Sequence, residues 1–489
     1  MNDVFNVIRG RVKNKADLDN VLEELKLFQD SSDTGVLRDV SSRLFPYEKR
    51  YIEHYKGDCD VLICTVGMRE SPIILSLLAV MPKTAVLLHT EGSLKTIERI
   101  VTDQSVIESG MKLEMVMIDE VDAAKNYRIL KEDVLPRTLN RRVRIDPTGG
   151  RKIMGTAVGA FAFFFRIPMI YLHAEEKMGV SVPFSGSIRD IDNPFEYFGD
   201  IDMKMLKDNF DHGYFGAAFE VCEKLSETVH DAALFTKIGL IRELTEVYSD
   251  WDGFVHSRYY KSKKERESST YLAKRLESIV SRCDRLGFKL LNSKDAERNI
   301  SFLKALEDNW ECRSNITDRF RLIDVYMNAN RRAEQGLFDD ATARMYRCFE
   351  ICATLLLEKE GISNLSRIDY ESFAQRHDMD VLSIKKRFKE LSGFDEPRSP
   401  PGLNDQMVLL QIINNPAGKI YAGMNESADK GESIRDKRNR SILAHGTSPI
   451  SKEDYLSFER ETTKIVIVTL GNATFKTLCE QATFPKLMV

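Results

Sequence analysis

Near the end of the chain, the stretch IRDKRNRSILAHGT (Ile434–Thr447) places four basic residues in the six positions Arg435 to Arg440, then His445 between Ala444 and Gly446. An arginine and a histidine on one helix face can cleave RNA. The imidazole moves a proton near neutral pH, from a ribose 2′-hydroxyl or to a leaving 5′-oxygen. The guanidinium holds the phosphate and stabilises charge on its non-bridging oxygens. If the stretch is helical, phase separates the arginines. At ~100° per residue, Arg438 and His445 differ by ~700°, within roughly 20° of two turns, whereas Arg440 stands about 140° away. The expected set is therefore Arg438 and His445. Asn439 would position the imidazole or the phosphate, Ile442 and Leu443 would pack inward, and Ala444 and Gly446 would keep the surroundings small. One helix supplies half of an acid–base pair, so two copies meeting across a dimer interface are expected. Taken alone, the same residues also describe a solvated basic helix end whose histidine caps the last carbonyls.

A second group of residues suits an anion. Asp146-Pro147-Thr148-Gly149-Gly150-Arg151-Lys152 reads as a strand end running into a helix. Two glycines allow backbone N–H groups to approach a negative charge, the helix N-terminus favours it, and Arg151 and Lys152 add countercharge. Two further strand ends carry suitable chemistry: Thr65-Val66-Gly67-Met68-Arg69-Glu70-Ser71 and His89-Thr90-Glu91-Gly92. Neither the GxxxxGK[ST] nor the GxGxxG spacing is present, so a phosphate-loop hydrolase and a dinucleotide oxidoreductase have little support. A tight strand–helix turn that needs glycine is the other reading of this loop. Gly155 and Gly159, one turn apart, read as close helix packing.

These residues need elements to position them. Apolar runs alternate with helices from Asp60: DVLICTVG, SPIILSLLAV with Pro72 in its first turn, TAVLLHT, SLKTIERIV, KLEMVMID, RVRIDPTGG and PMIYLHA. Strands apolar throughout, alternating with helices, are what a parallel sheet covered on both faces requires. Residues 57–180 are therefore expected to form a doubly wound, Rossmann-like α/β domain. Residues 1–56 read as a helical extension, 181–330 as a linker and helical connecting domain, and 331–489 as a closing all-α domain. A faint echo links Asn209–Leu225 with Arg332–Cys352, each a turn glycine, an aromatic and an amphipathic helix.

Composition bounds the function. The 489 residues are 43% apolar and 30% charged with a net charge of −4, so any nucleic-acid binding must come from a local patch. Eight cysteines in no framework spacing fit reduced thiols in a cytosol. Cys348 and Cys352 lie one turn apart without a partner pair for zinc and read as packing; no metal site is expected. Ile153–Leu172 is the most membrane-like stretch, but Arg166 and Pro168 interrupt it, and a spanning helix needs about 20 apolar residues. A buried helix and then a buried strand are expected there.

The Thr-x-Gly loop after the first strand, with DPTGGRKIM after a later one, resembles the CARF domain of CRISPR-associated proteins. That resemblance implies that the loops of two subunits hold a cyclic oligoadenylate, lined here by Thr65, Gly67, Met68, Ser71, Thr148, Gly149, Gly150 and Lys152. His89 and Arg151, the latter at a position where the family more often has Thr, join the candidate binding residues from their strand-end chemistry. Arg438, a polar Asn439, and His445 followed by glycine resemble the HEPN ribonuclease motif. Six residues separate Arg438 from His445 and four separate Arg440 from it, both within that motif's range. The helix Asp339–Ile362 resembles an opening HEPN helix, with Arg347 and Glu350 as supporting residues. Together the two signals resemble the CARF–HEPN ribonucleases of type III CRISPR systems. They imply a cytoplasmic, homodimeric, metal-independent endoribonuclease of single-stranded RNA that leaves 2′,3′-cyclic phosphates. Its activator would be a cyclic oligoadenylate, tetra-adenylate before hexa-adenylate; no cofactor and no membrane are expected. The alternatives are a nucleotide-sensing RNA- or protein-binding module without cleavage, and a nuclease that degrades its own cyclic ligand.

Overall fold

The chain begins with three helices, α1 (Asn2–Arg11), α2 (Lys15–Asp30) and α3 (Thr34–Arg50). Asn14 caps α2 by accepting from the Ala16 and Asp17 amides, and Asp33 caps α3 by accepting from those of Gly35 and Val36. Six strands then form one sheet: β1 (Val61–Thr65), β2 (Thr84–His89), β3 (Lys112–Met117), β4 (Val143–Asp146), β5 (Met169–His173) and, beyond a short hairpin of β6 (Glu176–Lys177) and β7 (Val180–Ser181), β8 (Ser187–Ile191). Their order is β3-β2-β1-β4-β5-β8, parallel except for β8, which runs against β5. The central strands β1 and β2 are buried along their whole length, as helices on both faces demand. Those helices are α4 (Ser71–Val80), α5 (Leu94–Val101), α6 (Gln104–Glu108), α7 (Ala123–Ile129) and α8 (Lys152–Phe164), with α9 (Pro194–Tyr197) closing the unit. The membrane-like stretch is thus α8 and then β5, and no helix among the described residues is long and apolar enough to cross a membrane.

The computed structural model describes residues 2–229, 231–255, 272–308, 319–362, 364–426, 434–443 and 446–488. It divides into two units, Met1–Phe198 and Gly199–Val489. The sheet domain, expected over 57–180, therefore takes in the N-terminal helices and runs on through β8. SIRDI lacks the apolar run of its neighbours because it is an edge strand. Its Arg189 and Asp190 are exposed, and Asp190 accepts from Arg144 on β4 at 3.0 Å. Gly155 and Gly159 on α8 are not packing glycines within this unit. A Cβ built on either meets nothing within 4 Å.

The second unit is helical: α10 (Asp200–Asp211), α11 (Phe215–Thr228), α12 (Ala232–Asp252), α13 (Leu272–Leu286), α14 (Ser293–Asp308), α15 (Arg319–Glu334), α16 (Phe338–Lys359), α17 (Tyr370–Arg376), α18 (Val381–Ser392), α19 (Leu403–Ile412), α20 (Pro416–Glu426), α21 (Ile434–Asn439), α22 (Lys452–Leu470) and α23 (Asn472–Ala482). Its core stacks Trp251 on Phe302, and the Trp251 indole N–H donates to Asp324 at 2.8 Å. Buried Asp252 accepts from Asn328 at 2.8 Å and from Arg331 at 2.7 Å, so α12 and α15 share a charge as well as an apolar face. Cys348 and Cys352 are wholly buried on α16, and burial pushes both thiols up. The faint echo has a structural counterpart. Gly213 and Gly336, at φ of 73° and 79°, end α10 and α15, and the Gln335 amide bridges the turns by donating to the Gly213 carbonyl at 3.1 Å.

The N-terminal helices close on the β6–β7 hairpin, whose Val180, Val182 and Phe184 join their core. The Phe184 amide donates to Glu48 at 2.6 Å. Burial pushes the Glu48 carboxyl from 4.5 up to about 7, although the Phe184 N–H works in the opposite direction. The folded protein then keeps a proton that the unfolded chain releases. This contribution to stability is full below about 4.5 and is lost as pH rises to about 7. Urea unfolding of the wild type should lose up to about 1.4 kcal/mol per pH unit from this group within that window. Glu48→Gln should flatten that part of the slope; an identical slope in the variant would contradict the assignment.

Candidate functional site

Strand order locates the first site. From β1 the chain winds outward through β2 and β3, and on the other side β4 and β5 extend the sheet, so β1 and β4 flank the switch point. Ligands of open parallel sheets bind outside the strand carboxyl ends at this crevice. There the backbones nearly touch. A Cβ on Gly67 would stand 2.6 Å from the Gly150 nitrogen, and one on Gly149 would stand 2.1 Å from the Thr65 carbonyl oxygen. Gly150 also holds φ +83°, in the left-handed region that glycine tolerates. The Thr65 hydroxyl donates to the Gly149 carbonyl at 2.6 Å and closes the contact.

The expected binding residues divide by what their side chains already do. Thr65 is fully buried and engaged with Gly149. Thr148 accepts from the Leu172 amide at 2.9 Å while its own amide donates to Asp146 at 2.8 Å, so it ties β4 to β5. His89 is buried with its Nδ1 3.3 Å from the Thr90 carbonyl oxygen. Gly67 and Gly149 shape the backbone, and Ser71, half-buried, opens α4. Met68, Gly150, Arg151 and Lys152 are exposed, at the open end of the crevice. Asp146 beneath the loop is fully buried, and burial pushes its carboxyl up against the lowering effect of the Ser76 and Thr148 hydroxyls. Sequence reasoning missed Glu120. It lies after β3, pairs with Arg151 at 3.1 Å, and its Oε1 would be 2.9 Å from a Cβ on Gly92. No motif marks a lone glutamate that becomes adjacent only when β3 and β4 enter one sheet.

The second site departs from its expected helix. α21 ends at Asn439 and does not continue to Gly446. Ser441 instead forms an isolated bridge with Ser448, the Gly446 amide donates to the Ser441 carbonyl at 3.2 Å, and the Ser448 amide donates to the Arg440 carbonyl at 3.0 Å. Gly446 is required by this fold-back, since a Cβ there would lie 2.2 Å from the Arg440 oxygen. Helical phase consequently does not relate Arg438 to positions beyond Asn439. Ile442 and Leu443 do not pack inward; they are 65% and 51% exposed. Ala444 and His445 lie outside the described residues.

Arg438 and Asn439 are both held. The Arg438 guanidinium carbon sits 3.8 Å from the ring centroid of Tyr346, on α16, and Nη1 donates to the Asn439 side-chain oxygen at 3.2 Å. Neighbouring Lys437 pairs with Asp454 of α22 at 2.6 Å. Burial works to raise the Asp454 carboxyl, but Lys437 and Ser451 bring it below the ordinary range. On the far side of the loop, the Ile450 amide donates to Asp339 of α16 at 3.1 Å. One helix, α16, thus touches the chain both before and after the fold-back. Arg347 and Glu350 on the same helix pair with each other at its exposed surface. Tyr346 was not legible as a site residue, because it precedes Arg438 by some ninety positions in an ordinary amphipathic helix. Among the described residues, no three His, Cys, Asp or Glu side chains group to hold a metal ion.

Residues 313–468 match the family model of the Csm6 HEPN domain, a segment that contains both α16 and the Arg438–Gly446 stretch. Solved structures also align with the chain, two of them as follows. Enterococcus italicus Csm6 bound to cyclic hexa-2'-fluoro-hexa-dAMP is 12% identical over 87% of this chain and 98% of that one, with a TM-score of 0.44. Can2 from Sulfobacillus thermosulfidooxidans in complex with cyclic tetra-adenylate is 14% identical over 41% and 69%, with a TM-score of 0.22. No curated protein matches the chain. A parallel α/β sheet unit thus precedes a helical unit whose residues 313–468 are similar to the Csm6 HEPN domain. The HEPN part points to a ribonuclease.

The glycines permit a sharp contrast. Gly67→Ala and Gly446→Ala should each cost about 1–3 kcal/mol through backbone overlap. Gly159→Ala, in open space within α8, should stabilise by up to about 1 kcal/mol. Urea unfolding of the three variants measures this; a neutral Gly67→Ala would contradict the close β1–β4 approach.

Proposed function

We propose that this protein is a CRISPR-defence endoribonuclease that cleaves single-stranded RNA without a metal ion and is switched on by a cyclic oligoadenylate. The observation that carries this reading is the Csm6 HEPN match over the segment containing Arg438, Asn439 and His445. In the proposed reaction the ribose 2′-oxygen attacks the adjacent phosphorus and loses its proton, while the bond to the 5′-oxygen breaks and that oxygen gains a proton. The products are a 2′,3′-cyclic phosphate and a 5′-hydroxyl. His445 handles the proton, and Arg438 stabilises the charge on the non-bridging oxygens. Gly446 rests against Arg440, so the fold-back returns the chain to the end of α21. The other proton transfer is assigned to a second copy of the chain in a homodimer. Exposed Ile442 and Leu443 beside the site support such a contact.

The activator is assigned to the crevice between β1 and β4. Gly150, Arg151, Lys152 and Met68 are exposed there, and the N-terminus of α8 favours a phosphate. Glu120 pairs with Arg151, so a bound phosphate would compete with that carboxylate. The sensor is placed within residues 57–180 and the nuclease within 331–489, although the HEPN match begins earlier, at 313. Of the two neighbours named above, one holds a six-membered and the other a four-membered ring, and we assign the tetra-adenylate here. The cytoplasm, where such rings and RNA meet, is the proposed location.

The test is cleavage of single-stranded RNA in EDTA against cyclic tetra- and hexa-adenylate. Wild-type protein should cleave with the tetra-adenylate and leave 2′,3′-cyclic phosphate ends. His445→Ala should lose about 10²–10⁴-fold in kcat while still binding RNA. Full activity of that variant, or dependence on a divalent metal, would overturn the mechanism.

A further inference from the structure

The arginine given to the phosphate is held by an aromatic ring rather than by a carboxylate. This inference rests on the assignment of Arg438 to the cleavage site. An arginine side chain samples many rotamers in water, and fixing its head group needs a partner. A carboxylate would occupy the in-plane N–H fork that a phosphate also uses. A ring takes the flat face instead and leaves most of the fork available. In this chain the Arg438 guanidinium carbon lies 3.8 Å from the Tyr346 centroid, and Asn439 accepts from Nη1.

Tyr346 is itself anchored. It meets Phe349, one turn along α16, edge to face with centroids 6.4 Å apart. Phe349 is fully buried and packs against Phe458 of α22 at 5.2 Å and Tyr421 of α20 at 5.9 Å. The Lys437–Asp454 pair holds the adjacent residue of α21 to α22 at the same time. A line of packed rings therefore runs from the core of the helical unit to the guanidinium.

We propose that Tyr346 is a positioning residue of the cleavage site. Its ring fixes the face of Arg438 so that the remaining in-plane N–H groups point at the scissile phosphate. The hydroxyl plays no part in this contact, so the ring face is what the site requires.

The experiment measures kcat and KM for RNA cleavage by activated full-length protein, with thermal unfolding as the check on folding. Tyr346→Leu and, as a second variant of similar bulk, Tyr346→Met should lower kcat about tenfold and leave KM within about twofold. Tyr346→Phe, which keeps the ring, should retain at least about half of the wild-type kcat. In the double variant Tyr346→Leu/Arg438→Ala, the loss should be no greater than in Arg438→Ala alone, because the ring acts only through the arginine. If Arg438→Ala is inactive while Tyr346→Leu and Tyr346→Met are fully active, the positioning role fails and the proposed function stands. Additive losses in the double variant, or a Tyr346→Phe as slow as Tyr346→Leu, would likewise overturn it. If Arg438→Ala cleaves normally, the assignment of Arg438 fails and the inference falls with it.

Discussion

The sheet unit depends on one backbone contact, where Gly67 after β1 meets Gly150 after β4. No side chain fits between them: an added Cβ would lie 2.6 Å from the neighbouring nitrogen. Connections leave this pair in opposite directions, which makes the loops beyond β1 and β4 the switch point of the sheet, where a crevice is expected. Glycine at these positions lets the crevice floor be made of main chain, with α8 starting directly behind it. The threonine hydroxyls of Thr65 and Thr148 lock the geometry from within. Met68, Arg151 and Lys152 are the exposed groups at the rim, and the proposed activator is assigned to them.

The helical unit solves a different problem: how to hold a short polar segment firmly when it is not itself a long helix. α21 spans only Ile434–Asn439, too short to be stable alone. Its residues are fixed individually, Lys437 by Asp454 and Arg438 by Tyr346. The chain that follows folds back through the Ser441–Ser448 bridge, and Asp339 catches its exit at Ile450. α16 provides two of these anchors and is buried on its other face by Met345, Cys348, Phe349 and Cys352. A long core helix thus transmits the rigidity of the core to a local turn.

Much of the architecture was legible because it follows from periodicity. Apolar runs marked β1, β2, β4 and β5, and the interruption at Arg166 and Pro168 separated α8 from β5. β8 was not legible, since an edge strand with exposed Arg189 and Asp190 carries no apolar run. Gly155 and Gly159 were read as packing residues from spacing alone, but spacing does not say whether a neighbour approaches that face. The helix expected from Ile434 to Gly446 was too long for a related reason. Nothing between Arg440 and Ala444 is a helix breaker, and the main-chain bonds that divert it come from Ser448 and Gly446 further along.

Sequence alone determined the residue types available to each site and the order of the two units. A Gly-Gly pair at a strand end, basic residues behind it, and an arginine-rich stretch before a histidine are local facts of composition and spacing. Only the tertiary structure decided which of them are already engaged. Thr65, Thr148 and His89 turn inward to the backbone, Arg151 meets Glu120 from the loop after β3, and Arg438 lies on a ring some ninety residues earlier in the chain. The physical reason is that packing and hydrogen bonding act between groups close in space, and distance along the chain does not specify that closeness.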